Sequence, residues 1–245
     1  MLDFSQRGDR SIETDIIVVG AGLVGLAAAV ACAKLGKQVI LIDAKKPVTR
    51  KQEAWDARIY ALTANIEAWL QALGVWAEVD SSRVNAINAM RLWDMHGGEL
   101  VLHDADANLT KLGVIIENQN LMHAFWIQIN ALGINVHSSV QCASIENTQE
   151  AIKLSLADGS CINAKLIVAA DGVDSWVRSQ ANIAVKYKDF NQTAIVANFV
   201  ANKPHQNTAQ QWFMPHETLA LLPLPNQRVS MVWALSTDQA AELLT

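Results

Sequence analysis

Three glycines near the start of the chain have the spacing GxGxxG, which is typical of places where a backbone must come close to a phosphate group. They are Gly20, Gly22 and Gly25. An apolar run over residues 16–19 precedes them, an uncharged alanine-rich segment follows to residue 33, and a second apolar run over 39–42 ends at Asp43. The pattern predicts a strand, a glycine turn, a helix and a second strand, the unit that binds dinucleotides.

Each part of this unit has a physical role. The first glycine permits a tight turn, the second lets the backbone approach a pyrophosphate, and the third lets the helix pack closely on the strand. The helix N-terminus offers unpaired N–H groups and a partial positive charge to the phosphates. Asp43 stands where a carboxylate can accept hydrogen bonds from an adenosine ribose. The sequence therefore predicts an ADP-containing cofactor bound through the three glycines and Asp43.

A predicted buried strand, residues 162–170, leads directly into Asp171 and Gly172. In open α/β sheets, ligands bind at the carboxyl ends of strands, so these residues are candidates for the same site. Ser175 can cap the short helix that follows, and Arg178 can pair with Asp171 or with a phosphate. An ordinary surface Asp-Gly turn has the same appearance, and the residues alone leave both interpretations open.

The uncharged run over residues 16–33 also has the length of a membrane span and resembles the core of a signal peptide. Its N-terminal flank is acidic, whereas a secretory signal begins with basic residues. The charged residues of that flank are Asp3, Arg7, Asp9, Arg10, Glu13 and Asp15. The three glycines would interrupt a spanning helix, so the pattern favours a strand and a helix of a globular protein.

The composition favours a globular protein that binds a small molecule. The 245 residues are 51% hydrophobic and 18% charged, and the net charge of −5 argues against nucleic acid as a partner. The cysteines, at positions 32, 142 and 161, lack CxxC spacing, which predicts small buried side chains in a reducing compartment and no disulfide frame. The six histidines have no spacing typical of metal ligands, so we expect no metal site.

Two regions of different pattern alternate along the chain. Helical spacing predicts helices over 57–73 and 121–132, and a helix that starts at Asp238. Alternating residues predict a hairpin about His96, Gly97 and Gly98. Further strands are predicted over 136–145, 151–156, 193–200, 210–214, 219–222 and 229–235. We therefore expect a flexible leader (1–13), a discontinuous α/β nucleotide-binding domain (14–84 and 114–182) and a β-sheet domain (85–113 and 183–245) whose C-terminal continuation is missing.

The segments GAGLVGL (20–26) and AADGVDSWVR (169–178) together resemble the flavoprotein aromatic hydroxylases of the para-hydroxybenzoate hydroxylase type. Four further stretches are similar to the flavin hydroxylases of ubiquinone biosynthesis. These are residues 56–65, 73–76, 116–118 and 219–224. The resemblance covers the chain from Thr14 onward. It implies an α/β fold in which a three-layer, Rossmann-like FAD-binding domain is interleaved with a β-sheet substrate domain.

The resemblance also implies roles for individual residues. Gly20, Gly22 and Gly25 would hold the FAD pyrophosphate, and Asp43 the adenosine ribose. Arg58 matches an arginine that approaches the flavin, although a salt bridge at a helix N-terminus is an alternative for it. Asn118 stands where relatives carry a polar side chain near the cofactor. Asp171 would engage FAD directly or through water, and Gly172 would let the backbone come close.

The activity implied by the resemblance is that of an FAD-dependent monooxygenase. NAD(P)H would reduce FAD, O2 would form a flavin hydroperoxide, and this would hydroxylate the ring of a polyprenylated phenol or quinol in ubiquinone biosynthesis. No catalytic acid or base is assigned, since His96, His103, His205 and His216 are isolated. We expect a cytoplasmic protein, at most peripheral at the inner face of the membrane, with other quinone-biosynthesis proteins as potential partners.

One part of the family pattern is absent. The Gly-Asp-Ala-Ala-His-type segment that grips the ribitol in this family has no counterpart after Gly172, and we therefore expect a C-terminally truncated, inactive fragment. Trp212, Phe213 and residues 219–224 are a candidate apolar wall for the substrate, with core packing as the alternative. Two other functions remain open, namely a nicotinamide-dependent dehydrogenase and a non-catalytic scaffold that keeps the FAD fold.

Overall fold

A computed structural model describes residues 11–46, 54–148 and 151–244 of the chain. These residues form two compact units, each built from three separate stretches of sequence. The first unit draws its residues from 1–50, 73–78 and 122–186, and the second from 51–72, 79–121 and 187–245. Both units therefore bring together residues that are far apart in the sequence.

The strands and helices alternate along the described residues. The strands are β1 (Ser11–Val19), β2 (Val39–Asp43), β3 (Ile59–Thr63), β4 (Val84–Ile87), β5 (Ala89–Trp93), β6 (Glu99–His103), β7 (Gly113–Glu117), β8 (Asn135–Ser138), β9 (Cys142–Asn147), β10 (Ile152–Leu156), β11 (Cys161–Ala169), β12 (Gln192–Val200), β13 (Thr208–Phe213), β14 (Thr218–Leu224) and β15 (Arg228–Ser236). The helices are α1 (Leu23–Lys34), α2 (Ala64–Ala72), α3 (Asn118–Ala131), α4 (Trp176–Gln180) and α5 (Thr237–Leu243). Short 3-10 helices cover Trp76–Glu78, Ser81–Arg83 and Ala105–Ala107.

The first unit contains a six-stranded sheet in the order β8-β2-β1-β11-β10-β9. Strands β8, β2, β1 and β11 are parallel, whereas β10 and β9 are antiparallel to their neighbours. The central strands are apolar because both faces of a parallel sheet are covered. Ile17, Ile42, Leu154 and Ile162 are members of the buried core of this unit. The parallel part of the sheet brings the carboxyl ends of β1, β2 and β11 to one edge.

The second unit contains two sheets. Its six-stranded sheet has the order β12-β15-β14-β13-β5-β6, in which the β13–β5 pair is parallel. Its three-stranded antiparallel sheet has the order β3-β7-β4. Buried side chains from both sheets meet in one core, since Ile115 of β7 packs with Ala209 of β13 and Leu224 of β14.

The mixed α/β fold class predicted from the sequence is confirmed. The uncharged run over residues 16–33 is divided between β1 and α1. No helix among the described residues is long and apolar enough to cross a membrane. The hairpin about Gly97 is also confirmed as β5 and β6.

Several element predictions were wrong. Residues 59–63 form β3 and not a helix, because β-branched and aromatic side chains suit a strand and β7 supplies its partner. The predicted strand over 136–145 is two strands, since Ser139 turns the chain with φ 61°. Strands β4 and β7 were not predicted. Residues 11–13 of the expected leader belong to β1, and the rest of that leader lies outside the described residues.

The compact units also divide the sequence differently from the expected domains. Residues 54–72, 79–84 and 114–121, which we expected in the nucleotide-binding domain, lie in the second unit. The domain boundaries given above therefore remain predictions.

Candidate functional site

The GxGxxG turn lies at the carboxyl edge of the parallel strands, where it touches the start of the Asp171-Gly172 turn. Gly20 has φ +104°, and a Cβ there would lie 2.2 Å from the carbonyl oxygen of Ala170. A Cβ on Gly25 would lie 1.7 Å from the carbonyl oxygen of Gly20. Both positions therefore need glycine for the fold itself, and they bring the two segments predicted from the sequence into contact.

Gly22 differs from these two glycines because nothing in the structure occupies the space beside it. It is the N-cap of α1, with φ −73° and ψ 177°, and apart from its own chain neighbours no atom of the described residues lies within 4 Å of a Cβ placed there. No side chain caps this helix, and its first turn carries no acidic residue. The N-terminus of α1 is therefore open to an anionic group that approaches along the backbone.

The carboxylate of Asp43 joins β2 to the glycine turn. Its Oδ2 accepts a hydrogen bond of 2.6 Å from the N–H of Ala21, and its Oδ1 accepts one of 2.7 Å from the N–H of Lys45. Each carboxylate oxygen can accept a second hydrogen bond. Asp43 can therefore order the turn and still accept hydrogen bonds from the hydroxyl groups of a ribose.

Asp171 orders the turn that follows β11. Its carboxylate accepts hydrogen bonds from Ser175 Oγ at 2.5 Å and from the N–H of Val177 at 3.1 Å. Ser175 Oγ accepts in turn from the N–H of Arg178 at 3.0 Å, which confirms Ser175 as the cap of α4. Gly172 has φ +98° and open space beside it. A pocket of about 490 Å³ in the first unit is lined in part by Gly172, Ser175, Val177 and Arg178.

The three cysteines form no disulfide, and they are partly buried, which is less than the sequence predicted. Burial and the nearby charge of Asp171 raise the pKa of the Cys142 thiol to about 11. This thiol is therefore protonated at neutral pH and is a poor nucleophile.

Arg58 and Asn118 lie together in the second unit. The N–H of Asn118 donates a 2.9 Å hydrogen bond to the carbonyl oxygen of Arg58. The Tyr60 hydroxyl donates to Asn118 Oδ1 at 3.4 Å, and the Arg58 guanidinium lies 5.7 Å from the centre of the Tyr60 ring. Arg58 immediately precedes β3 and does not stand at a helix N-terminus, so the alternative interpretation of it was wrong.

A buried ion pair beside these residues was missed in the sequence. Glu117, the last residue of β7, is 1% exposed, and its carboxylate accepts two hydrogen bonds from the guanidinium of Arg83. This hydrogen bonding raises the pKa of Arg83 above its ordinary value. The available signal was an acid at the end of the apolar run 113–116. Its partner could not be found from spacing, because the two residues are far apart in the sequence.

Two of the other candidates, His205 and Trp212, make contacts that support the fold. The N–H of Asn207 donates to His205 Nδ1, so Nε2 carries the proton and donates to the carbonyl oxygen of Leu224 at 2.9 Å. Trp212 stacks on Trp93, with ring centres 4.8 Å apart. Phe213 lies on the opposite face of β13, because successive residues of a strand alternate. Trp212, Phe213 and residues 219–224 therefore do not form one wall.

Comparison with known proteins assigns the family. The model of the FAD-binding domain family matches residues 13–243. The chain belongs to this FAD-binding family. It is 32% identical to the human "Ubiquinone biosynthesis monooxygenase COQ6, mitochondrial", over 94% of this chain and 53% of that protein. It is also 32% identical to the Escherichia coli "3-demethoxyubiquinol 3-hydroxylase", over 94% of this chain and 59% of that protein.

The fold is also similar to solved structures of the FAD-dependent monooxygenases. Pseudomonas aeruginosa PqsL, solved in complex with 2-aminobenzoylacetate, superposes with a TM-score of 0.80 at 17% identity. The match covers 94% of this chain and 63% of that one. The chain spans about half the length of the curated relatives it matches.

The first unit fits the ADP half of FAD. The open N-terminus of α1 and the empty space beside Gly22 suit a pyrophosphate, and the remaining acceptor capacity of Asp43 suits a ribose. The FAD-binding family of the chain agrees with this chemistry.

Proposed function

We propose that this chain is the FAD-binding part of a monooxygenase that hydroxylates the aromatic ring of a polyprenylated phenol or quinol in ubiquinone biosynthesis. The observation that carries the proposal is the open glycine turn at the N-terminus of α1, in a chain of the FAD-binding family. The names of the human and Escherichia coli relatives supply the substrate class. NAD(P)H is the electron donor and O2 the second substrate.

The residues of the chain would bind and orient the cofactor. Gly20 and Gly25 form the turn, and Gly22 with the first N–H groups of α1 holds the pyrophosphate. Asp43 binds the adenosine ribose. Asp171 and Gly172 shape the neighbouring turn against the cofactor. When bound, FAD supplies the oxygen-activating chemistry, which agrees with a site that needs no nucleophile of its own.

Arg58 and Asn118 are proposed to contact the flavin side of FAD. Their main chains are hydrogen-bonded to each other, so a change in the position of one moves the other. A guanidinium and an amide provide hydrogen-bond donors that suit the acceptor atoms of a flavin.

The test begins with a titration of FAD into the purified chain, followed by quenching of flavin fluorescence, with NAD+ titrated in parallel. We expect FAD to bind and NAD+ to bind at least tenfold more weakly. Tighter binding of NAD+ would favour the dehydrogenase interpretation instead. Hydroxylation of a prenylated phenol is then assayed with the protein purified from its native cells. That source is used because the curated relatives are about twice the length of this chain. Bound FAD without NAD(P)H oxidation or product would favour a scaffold.

A further inference from the structure

The buried ion pair of the second unit binds the backbone of the segment that leads to Arg58. Glu117 Oε2 accepts from Arg83 Nε at 2.6 Å, and Glu117 Oε1 accepts from Arg83 Nη2 at 2.7 Å. Glu117 Oε1 also accepts a hydrogen bond of 2.5 Å from the N–H of Asp56. A second bond from Arg83 Nη2 reaches the carbonyl oxygen of Ala54 at 2.9 Å. Both partners of the ion pair therefore hold residues 54–56.

The ring of Trp55 fixes this segment further. The Arg83 guanidinium lies 4.4 Å from the centre of the ring, and the Arg228 guanidinium lies 5.3 Å from it. Cations within about 6 Å of an aromatic face are attracted to it. Trp55 also packs against the core of the second unit. Residues 54–56 are thus held by a buried charge network and by a packed ring.

The side chain of Asp56 connects this fixed segment to Arg58 and to the first turn of α3, where Asn118 lies. Its Oδ1 accepts a 2.9 Å hydrogen bond from the N–H of Arg58, and its Oδ2 accepts a 3.2 Å bond from the N–H of Gln119 in the first turn of α3. The N–H of Asn118 donates to the carbonyl oxygen of Arg58 at 2.9 Å. Two of these hydrogen bonds therefore join the turn at residues 56–58 to the start of α3, and the third lies within the turn itself.

We propose that Glu117 is a positioning residue for the FAD site, which acts through Asp56 to hold Arg58 against Asn118. This inference rests on the proposed function, in which those two residues contact the flavin side of FAD. The carboxylate of Glu117 is buried and is bonded to Arg83 and Asp56. It fixes the backbone from which the side chains of Arg58 and Asn118 extend. These residues are therefore already ordered before FAD binds, and binding does not have to supply the free energy of ordering them.

A second carboxylate of the same unit provides a matched control. Glu67 of α2 is 8% exposed, and Lys111 Nζ donates to its Oε1 at 2.9 Å. This ion pair makes no hydrogen bond to residues 54–58 or 118–119 among those described. A Glu67→Gln substitution therefore removes a paired, largely buried charge from the second unit without touching the positioning network.

The experiment measures FAD affinity and amide exchange for the wild-type chain, Glu117→Gln, Asp56→Asn and Glu67→Gln. Asp56→Asn leaves the ion pair in place and replaces one acceptor oxygen by an NH2 donor. It therefore tests the hydrogen bonds of Asp56 to Arg58 and Gln119 even if Glu117→Gln unfolds the chain. We expect the dissociation constant for FAD to rise about tenfold in the two network variants, because the site residues must then be ordered on binding. We expect a change of less than about twofold in Glu67→Gln.

Hydrogen exchange separates positioning from stability, and it does not depend on the cofactor. In the chain without FAD, we expect the amides of residues 56–58 and 118–119 to exchange faster in the network variants than in Glu67→Gln at equal thermal stability. Unchanged exchange and affinity in Asp56→Asn would overturn the inference, as would equal effects of Glu117→Gln and Glu67→Gln. A wild-type chain that binds no FAD would contradict the proposed function, and the exchange data would still decide whether Glu117 positions the turn.

Discussion

At the residue scale, the three glycines of the GxGxxG turn have two different reasons to be glycine. Gly20 and Gly25 have backbone atoms where a Cβ would be, so the folded chain itself excludes a side chain. Gly22 has a φ that any residue adopts and open space beside it. The structure thus separates two positions that packing restricts to glycine from one, Gly22, at which no contact among the described residues does so.

A pair of substitutions tests this distinction. Gly25→Ala should destabilise the chain by about 3 kcal/mol, because its Cβ meets the Gly20 carbonyl oxygen. Gly22→Val should change the free energy of unfolding by about 1 kcal/mol or less and should abolish FAD binding, because the branched side chain fills the space for the pyrophosphate. Urea unfolding and flavin-fluorescence titration measure the two effects. Unchanged flavin affinity in Gly22→Val would refute this placement of the pyrophosphate.

At the element scale, the β5–β6 hairpin shows how one side chain can fix a turn. Asp94 Oδ1 accepts hydrogen bonds from the N–H groups of Gly98 at 2.7 Å and of His96 at 2.9 Å. These bonds lower the pKa of Asp94 below its ordinary value, and the bond from Gly98 has the larger effect. The carboxylate replaces backbone partners that the turn cannot supply. The hairpin in turn supplies Trp93, which stacks on Trp212 of β13.

The lowered pKa predicts a pH dependence of stability. Because the folded-state pKa of Asp94 lies below the unfolded value near 3.8, its contribution is fully present above that pH and is lost as pH falls through the folded pKa. Asp94→Ala should therefore lower the urea midpoint at pH 6 and have a smaller effect at pH 2.5. The midpoints of the wild type and the variant are compared at both values. An equal difference at both would show that the charge of Asp94 does not support the turn.

At the scale of the whole molecule, each compact unit is assembled from three stretches of sequence. Strand β1 pairs with β2 on one side and on the other with β11, which follows more than a hundred residues later. The second unit pairs β5 with β13 in the same way. Both cores therefore depend on contacts of long sequence range, which are slow to form during folding. The family model matches residues 13–243, which is nearly the whole chain. The chain spans only about half of the human relative, so monooxygenase activity is proposed and not shown.

The sequence by itself determined the first βαβ unit, the Asp171-Gly172 turn, the hairpin and the family. These features are local, since strand periodicity, glycine spacing and turn residues act between neighbours in the chain. The same local reasoning placed a helix at residues 57–63, because Ile59 and Leu62 fit helical spacing. Only pairing with β7 decides that this segment is β3.

Tertiary structure alone decided which distant residues meet. The ion pair of Arg83 with Glu117, its hydrogen bond to Asp56, and the contact of Arg58 with Asn118 have no signal in local spacing. The reason is physical: hydrogen bonds and charge pairs act only at contact distance, and that distance is set by the packing of strands from different parts of the chain. The sequence therefore predicted residues for a cofactor site, and the fold showed which hydrogen bonds and ion pairs hold those residues in place.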